Sequence, residues 1–289
     1  MIGYRARMSV AVVTDSTAYL PVELAGRNRL TIVPLTVVLN GVEGLEGIEV
    51  SPADAARALS GRRAAVSTSR PAPEQFVRTY RRLLDGGAAG IVSVHLSAEL
   101  SGTVAAARLA AAEVGDRVSV VDARSTGMGL GFPALAAAAA AARGAGLAEV
   151  RQAAIEAIER TRTFFYVDTL EFLRRGGRIN AAEALLGTAL SVKPILHVVD
   201  GTISMRDKVR TASRGVARLV DLAVETAGDA EVDIAVHHLA APGRAADLAE
   251  ALRARLGPRL HDEYVTEAGA VVAAHAGPGL ACVVVHRRG

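Results

Sequence analysis

His95-Leu96-Ser97-Ala98-Glu99-Leu100-Ser101-Gly102-Thr103 is the stretch on which the reading of this chain turns. An apolar run, Ile91 to Leu96, leads into it and reads as a buried strand. An alanine-rich helix, Thr103 to Val114, follows. Hydroxyls and a glycine thus stand where a strand ends and a helix begins. In an open α/β sheet, ligands bind at that edge. A helix start also offers unpaired N–H groups and a partial positive charge, which suit an anion. Serine and threonine are ordinary at helix starts too, so the stretch acquires meaning only if it recurs.

The pattern recurs three times. A first strand, Ser9 to Thr14, ends in Asp15-Ser16-Thr17, and Pro21 opens a helix that reaches Asn28. Val66 leads into Ser67-Thr68-Ser69-Arg70-Pro71, before a helix from Pro73 to Leu84. Val118 to Val121 ends at Asp122, followed by Arg124, Ser125 and Thr126. Strands alternating with helices predict a mostly parallel sheet flanked by helices. Four small-polar turns are then expected on one sheet edge, the layout of a small-anion or carboxylic-acid site. Thr31 to Leu39 reads as a second strand broken by Pro34, Asn40 to Ser51 as loop, and Pro52 to Leu59 as a short helix.

Beyond Thr163 the character changes. Phe164 to Val167 reads as a strand and Asp168 to Arg174 as a short helix, ending in Arg175-Gly176-Gly177-Arg178. Ala181 to Leu190 reads as helix. Asp200-Gly201 marks a hairpin between Val192–Val198 and Thr202–Arg210. Helices from Ser213 and Arg244 flank a strand, Val232 to His238, and Leu280 to His286 closes the chain. The expected organisation is an α/β protein with an N-terminal domain over residues 8–163 and a second, mixed α/β domain over 164–289.

Composition narrows the function. Hydrophobic residues make up 51% of the 289, enough for a real core without disulfide staples. Aromatics are only 3% and tryptophan is absent, which argues against stacking on nucleic-acid bases. The net charge is +3, and arginines occur in pairs such as Arg62-Arg63 and Arg174-Arg175, not in a long basic run. One cysteine, Cys282, excludes an internal disulfide and fits a reducing, cytoplasmic setting. The longest apolar stretch, Gly129 to Ala142, falls short of the roughly 20 residues that a membrane span needs. It reads as a buried helix, and no stable membrane insertion is expected.

Several motifs are set aside. Gly127-Met128-Gly129-Leu130-Gly131-Phe132 has phenylalanine where a dinucleotide loop needs glycine or alanine. There is no G-x-x-x-x-G-K-[ST] loop, no G-x-S-x-G elbow and no H-E-x-x-H. His237 and His238 are adjacent and point to opposite faces of a strand, which ill suits one metal. Nothing selects a Ser–His–Asp triad. The positive features that remain are Arg178, Arg210 and His275, cations or a potential cation beside glycine turns or strand ends. His275 reads equally as a histidine of a buried strand or of a site.

Taken in order, these stretches resemble the DegV family of bacterial fatty-acid-binding proteins. Val13-Thr14-Asp15-Ser16-Thr17-Ala18 is similar to the family's V-x-D-S-T-A, Thr68-Ser69-Arg70-Pro71 to its T-S-Q-P, and Leu96 to Thr103 to its L-S-S-x-L-S-G-T. Leu173 to Ile179 resembles L-x-x-G-G-R-I. Lys193-Pro194-Ile195-Leu196, Asp200-Gly201 and Lys208-Val209-Arg210-Thr211 resemble K-P-I-L…D-G…K-V-R-T, and His275 to Gly279 resembles H-x-G-P-G. The resemblance implies two α/β domains that hold one long-chain fatty acid between them. It implies carboxyl ligands at Thr68 and Ser97, and Arg178, Arg210 and His275 near the head group or its acyl phosphate. It further implies a non-catalytic carrier that presents the acid to a dihydroxyacetone-kinase-like fatty acid kinase subunit for phospholipid synthesis. No cofactor, no metal and no nucleic acid are expected.

Two departures stand out. Arg70 replaces glutamine, and Ala98 replaces the second serine of L-S-S. The carboxyl site must then use Ser97, Ser101 or the backbone N–H of Ala98. The alternative to a carrier is an enzyme, a phosphotransferase or hydrolase acting on a small anion at the same edge.

Overall fold

The computed structural model describes residues 9–60, 66–179 and 192–289. The chain begins β1 (Val10–Asp15), α1 (Val22–Arg27), β2 (Thr31–Val33), β3 (Thr36–Leu39), β4 (Val42–Leu45), α2 (Pro52–Ser60), β5 (Val66–Ser69). It continues α3 (Pro73–Asp85), β6 (Gly90–His95), α4 (Thr103–Val114), β7 (Val118–Asp122), α5 (Met128–Ala142), α6 (Leu147–Glu159). Then come β8 (Thr161–Tyr166), α7 (Glu171–Arg175), β9 (Lys193–Val199), β10 (Thr202–Val209), α8 (Ala212–Ala227) and β11 (Val232–His238). The chain finishes with α9 (Pro242–Leu256), β12 (Leu260–Glu267), α10 (Ala270–Ala276) and β13 (Ala281–Arg287).

A parallel sheet in the order β2-β1-β6-β7 and a mixed sheet in the order β10-β9-β8-β13-β11-β12 make an α/β protein of two sheets, as the alternation predicts. In the first sheet the chain runs outward from β1 to β2 on one side and from β6 to β7 on the other. The switch point therefore lies between the ends of β1 and β6, where such sheets bind ligands. β6 is buried at every position, as a central strand covered on both faces must be. α3 and α4 cover one face of this sheet, with Phe76, Tyr80, Ala106 and Ala107 in the contact. α5 lies between the two sheets, against β1 and β6 on one side and β8 and β13 on the other. Eleven of its fifteen residues are buried, and seven of these are alanine or glycine, which lets both sheets approach it closely. α8 and α9 close the far face of the mixed sheet. One core joins Val92 and Val94 of the first sheet to Leu196, Ala235 and Val284 of the second.

Several expectations need correction. Pro34 does more than break one strand: β2 joins the parallel sheet, while β3 joins a separate antiparallel sheet, β4-β3-β5. Residues 40–51 are not all loop. Asn40 (φ 52°) and Gly41 (φ 87°) form a tight turn into β4, since a two-residue hairpin needs left-handed backbone at both positions. Ser67–Ser69 lies in β5, paired with β3, so three hydroxyl-rich strand ends stand on the parallel sheet's edge, not four. The pattern predicts no element for Leu260–Glu267, yet it forms the edge strand β12; its charged, half-exposed alternation masks the signal. His275 stands on a helix, not in a strand. The expected boundary after residue 163 falls inside β8. The helix expected over Ala181–Leu190 and the Arg62-Arg63 pair lie outside the described residues.

The switch point is tied by one carboxylate. Asp15, fully buried, accepts from Thr17 N (3.0 Å), Thr17 Oγ1 (2.6 Å), His95 Nδ1 (3.0 Å) and Leu96 N (3.0 Å). Tyr80 OH donates to Ser93 Oγ (2.8 Å), which lies 2.7 Å from His95 Nε2, and the ring's Nδ1 faces Asp15. This is a Ser–His–Asp chain by connectivity, but Ser93, His95 and Asp15 are all 0% exposed. No acyl substrate reaches it, and its work is to lock β1 to β6. Asp15→Ala strands the His95 and Leu96 N–H groups in the interior. It should lower the unfolding free energy by roughly 3 kcal/mol in urea titration, whereas Ser93→Ala should cost about 1–2 kcal/mol.

Candidate functional site

A cavity of about 410 Å³ opens between the carboxyl edge of the parallel sheet, the inner face of the mixed sheet and α10. Leu35, Leu96, Leu100, Leu173, Val198, Ile203, Phe165, Val271 and Leu280 give it a wall that is mostly aliphatic. Thr126, Thr163 and His237 add polar groups to the lining, and a further group forms around Thr68. Thr68 Oγ1 lies 2.9 Å from His275 Nε2, and Ser101, Arg70 and Arg178 stand on the same wall. Thr68 is partly buried next to exposed Ser69 and Arg70, so this group lies near solvent.

Local geometry explains each part. Thr68 is presented by β5 through its pairing with Val37 of β3. His275 sits in the last turn of α10, a helix packed against α2, α7 and β5. Burial, with the nearby Arg178 charge, pushes the His275 pKa down to about 4, so the ring is neutral at physiological pH. Its Nδ1 is buried and has no partner among the described residues. Gly176 is what admits the ring: a Cβ there would lie 2.3 Å from Nδ1. Gly177, at φ 67°, lets the chain turn off α7 so that Arg178 points back. Arg178 Nε then donates to Leu100 O (3.1 Å) and its Nη1 to Gly176 O. Arg70 lies over Gly102, where a Cβ would be 2.6 Å from the guanidinium. Among the described residues neither Arg70 nor Arg178 has a carboxylate partner. Two guanidiniums without an ion-pair partner among the described residues, on one wall, suit an anionic head group.

The structure sorts the expected site residues. Thr68, Ser101, Arg178 and His275 lie on the wall. Ser97 does not: it is fully buried, its Oγ donates to Gly201 O (2.7 Å) and accepts from Glu99 N (3.2 Å). It fastens the loop after β6 to the β9–β10 hairpin. Ala98 is off the wall as well, its N–H directed at the Asp122 carboxylate (3.3 Å). Of the three replacements considered for the missing serine, only Ser101 faces the cavity, where its Oγ also bonds Thr103 Oγ1 (2.9 Å). Arg210 is exposed just after β10, away from the wall.

Other wall residues escaped the sequence reading. His237 is the inward member of the His237-His238 pair. Thr266 Oγ1 donates to Tyr19 O (3.3 Å), so His237 Nδ1–H donates to Thr266 (2.8 Å) and Nε2 accepts from Met128 N (2.9 Å). Burial pushes its pKa down to about 4. Cys282 lies on the wall too, and burial pushes its thiol up to about 12, which leaves it unreactive. Asp233, His261 and Asp262 come together elsewhere, but Arg288 already bonds both carboxylates, at 2.8 and 2.9 Å.

A family model described as "Uncharacterised protein, DegV family" matches residues 9–288. The chain belongs to the DegV family. A DegV domain-containing protein of Streptomyces coelicolor is 56% identical over 279 residues, 96% of this chain and 99% of its own length. A DegV family protein from Thermus thermophilus, whose structure is described as fatty-acid-binding, superposes with a TM-score of 0.92 at 33% identity, covering 97% of this chain and all of its own. DegV from Bacillus subtilis, described as a fatty acid binding protein, gives 0.88 at 32% identity, again over 97% of this chain and all of its own. The DegV fold is thus common to chains that differ at two residues in three. Among the described residues no helix is long and apolar enough to cross a membrane.

His237, His275 and His286 each have a pKa near 4 when folded, against an ordinary 6.5. Between those values the unfolded chain binds protons that the folded chain does not. Stability is therefore complete above about pH 6.5 and declines as pH falls toward 4. Thermal melts across that range should show the decline, and His275→Gln should make it shallower.

Proposed function

We propose that this protein holds one long-chain fatty acid in the cavity, with the carboxyl group at Thr68 and His275 and the hydrocarbon along the aliphatic wall. The observation that carries the reading is a cavity with a mostly apolar lining that brings Thr68, His275 and two guanidiniums without an ion-pair partner among the described residues onto one wall. The Thermus and Bacillus relatives described as fatty-acid-binding support it. A volume of about 410 Å³ falls in the ~300–1,000 Å³ range of pockets that engulf small organic ligands. Each buried methylene is worth roughly 0.8 kcal/mol, so fourteen of them supply on the order of 10 kcal/mol before ordering costs. The tail gives the affinity and the head end gives the orientation. Thr68 can donate to a carboxylate or accept from a carboxylic acid, and Ser101 offers a second hydroxyl. Arg178 and Arg70 supply charge that a carboxylate, or the more highly charged acyl phosphate, requires.

We further propose that the protein is a carrier and not itself an enzyme, presenting the acid's head group to a kinase subunit. A head-group cluster beside exposed Ser69 and Arg70 suits such a transfer. A hydrolase reading finds no support in the Ser93–His95–Asp15 chain, which is sealed from the cavity. Protein stripped of lipid should take up C14–C18 acids one to one by native mass spectrometry. Thr68→Val and Arg178→Gln should each weaken palmitate binding about tenfold, the worth of one hydrogen bond near a charge. Ser97→Ala should lower stability and leave affinity nearly unchanged. Stripped protein that takes up no acid in this range overturns the reading, and acyl phosphate made from ATP without any kinase subunit overturns the carrier role.

A further inference from the structure

Glu46 follows β4 and is 4% exposed, an acid in the interior with no basic partner among the described residues. Its Oε1 accepts from Val271 N (2.8 Å) and Tyr19 OH (3.1 Å), and its Oε2 accepts from Ser16 Oγ (2.5 Å). The hydrogens can be traced. Tyr19 OH accepts from Val272 N (3.1 Å), so it gives its own hydrogen to Glu46. Ser16 Oγ accepts from Leu35 N (3.0 Å) and likewise gives its hydrogen to Glu46. All three contacts on the carboxyl group come from donors, and together they fix its orientation. Burial pushes the Glu46 carboxyl above its usual range, and the bonds from Ser16, Val271 and Tyr19 oppose that shift.

The two N–H groups held in this way are those of Val271 and Val272, in the first turn of α10. That helix has seven residues, too few to be stable or to hold a direction by itself. Its last turn carries His275, about 6 Å further along the axis from Val271 at 1.5 Å per residue. Val271, Val272 and His275 all lie on the cavity wall. The approach of the chain before α10 is close: a Cβ on Gly269 would lie 2.4 Å from both Glu46 Oε1 and the Tyr19 ring.

We propose that Glu46 is a positioning residue of the acid-binding site. By anchoring the first turn of α10, directly and through Tyr19, it holds His275 at hydrogen-bond distance from Thr68. The consequence for ligand binding rests on the fatty-acid reading above; the placement of His275 does not.

The test therefore reads both, in wild type, Glu46→Ala, Glu46→Gln and Tyr19→Phe. His275 is followed by its imidazole signals in long-range ¹H–¹⁵N spectra of lipid-stripped protein, and ligand by the dissociation rate of palmitate. Glu46→Ala should shift the His275 signals and speed palmitate release at least tenfold. Glu46→Gln keeps an oxygen for Val271 N and Tyr19 OH, and Ser16 Oγ has a second lone pair for the new amide. It should leave the His275 signals in place and palmitate release within threefold of wild type. Tyr19→Phe removes the acceptor of Val272 N and should shift the signals less than Glu46→Ala. Unmoved His275 signals in Glu46→Ala overturn the proposal, as do signals that move equally in Glu46→Gln. If Glu46→Ala does not fold, Tyr19→Phe decides by the same signals. Wild-type protein that binds no palmitate refutes the fatty-acid reading, while the signals of the stripped protein still decide the role of Glu46.

Discussion

The rest of the structure depends on the Asp15 carboxylate. It stands at the end of β1 and reaches across to the end of β6, holding His95 through Nδ1 and Leu96 through its backbone N–H. A buried anion is costly unless its lone pairs are met, and here four donors meet them. The bonds fix the direction in which the chain leaves β6, and so the course of the loop from Ser97 to Gly102. Leu96, Leu100, Ser101 and Gly102 of that loop line the cavity. Arg178 donates to the carbonyl of Leu100, and Arg70 lies on Gly102. The position of both cations is therefore traceable to one carboxylate between two strands.

A second buried acid does the corresponding work for the opposite wall. Asp15 organises segments that meet across a parallel sheet; Glu46 organises a short helix that no sheet holds. Both are acceptors surrounded by donors, and both stand behind the cavity wall and not on it. Leucine, valine and alanine make up much of the wall between them, with Thr126, Thr163 and His237 among them. Small side chains on α5 let the two sheets come together beside the cavity.

The fold was legible because it depends on local pattern. Apolar runs of five or six residues, each followed by hydroxyls and a helical repeat, specify strand, turn and helix without reference to the rest of the chain. Arg178 and His275 were legible as candidates because they sit by glycine turns at the ends of elements, Thr68 and Ser101 because they stand in hydroxyl-rich turns that resemble DegV motifs. Ser97 shows the limit. A hydroxyl at a strand end can face the cavity or turn back to a neighbouring carbonyl, and spacing does not choose between them; the Gly201 carbonyl of a hairpin more than a hundred residues away does. Glu46 and His237 were not legible for a related reason. Glu46 stands in a glycine-spaced hairpin with no pattern of its own, and its partner Val271 is 225 residues distant. His237 reads as one of two neighbouring strand histidines until β12 supplies Thr266.

The state of His275 links the chemistry of the head end to its packing. A protonated histidine would bind a carboxylate more strongly, yet burial and Arg178 keep the ring neutral. The charge needed to receive an acid stays on the guanidiniums, which cannot lose it near neutral pH. The neutral ring and the Thr68 hydroxyl then supply direction, since a hydrogen bond demands alignment and a charge does not. This division suits a carrier. A cationic histidine in direct contact would hold the head group with a pH-sensitive ion pair, whereas a neutral pair orients it and leaves retention to the methylenes.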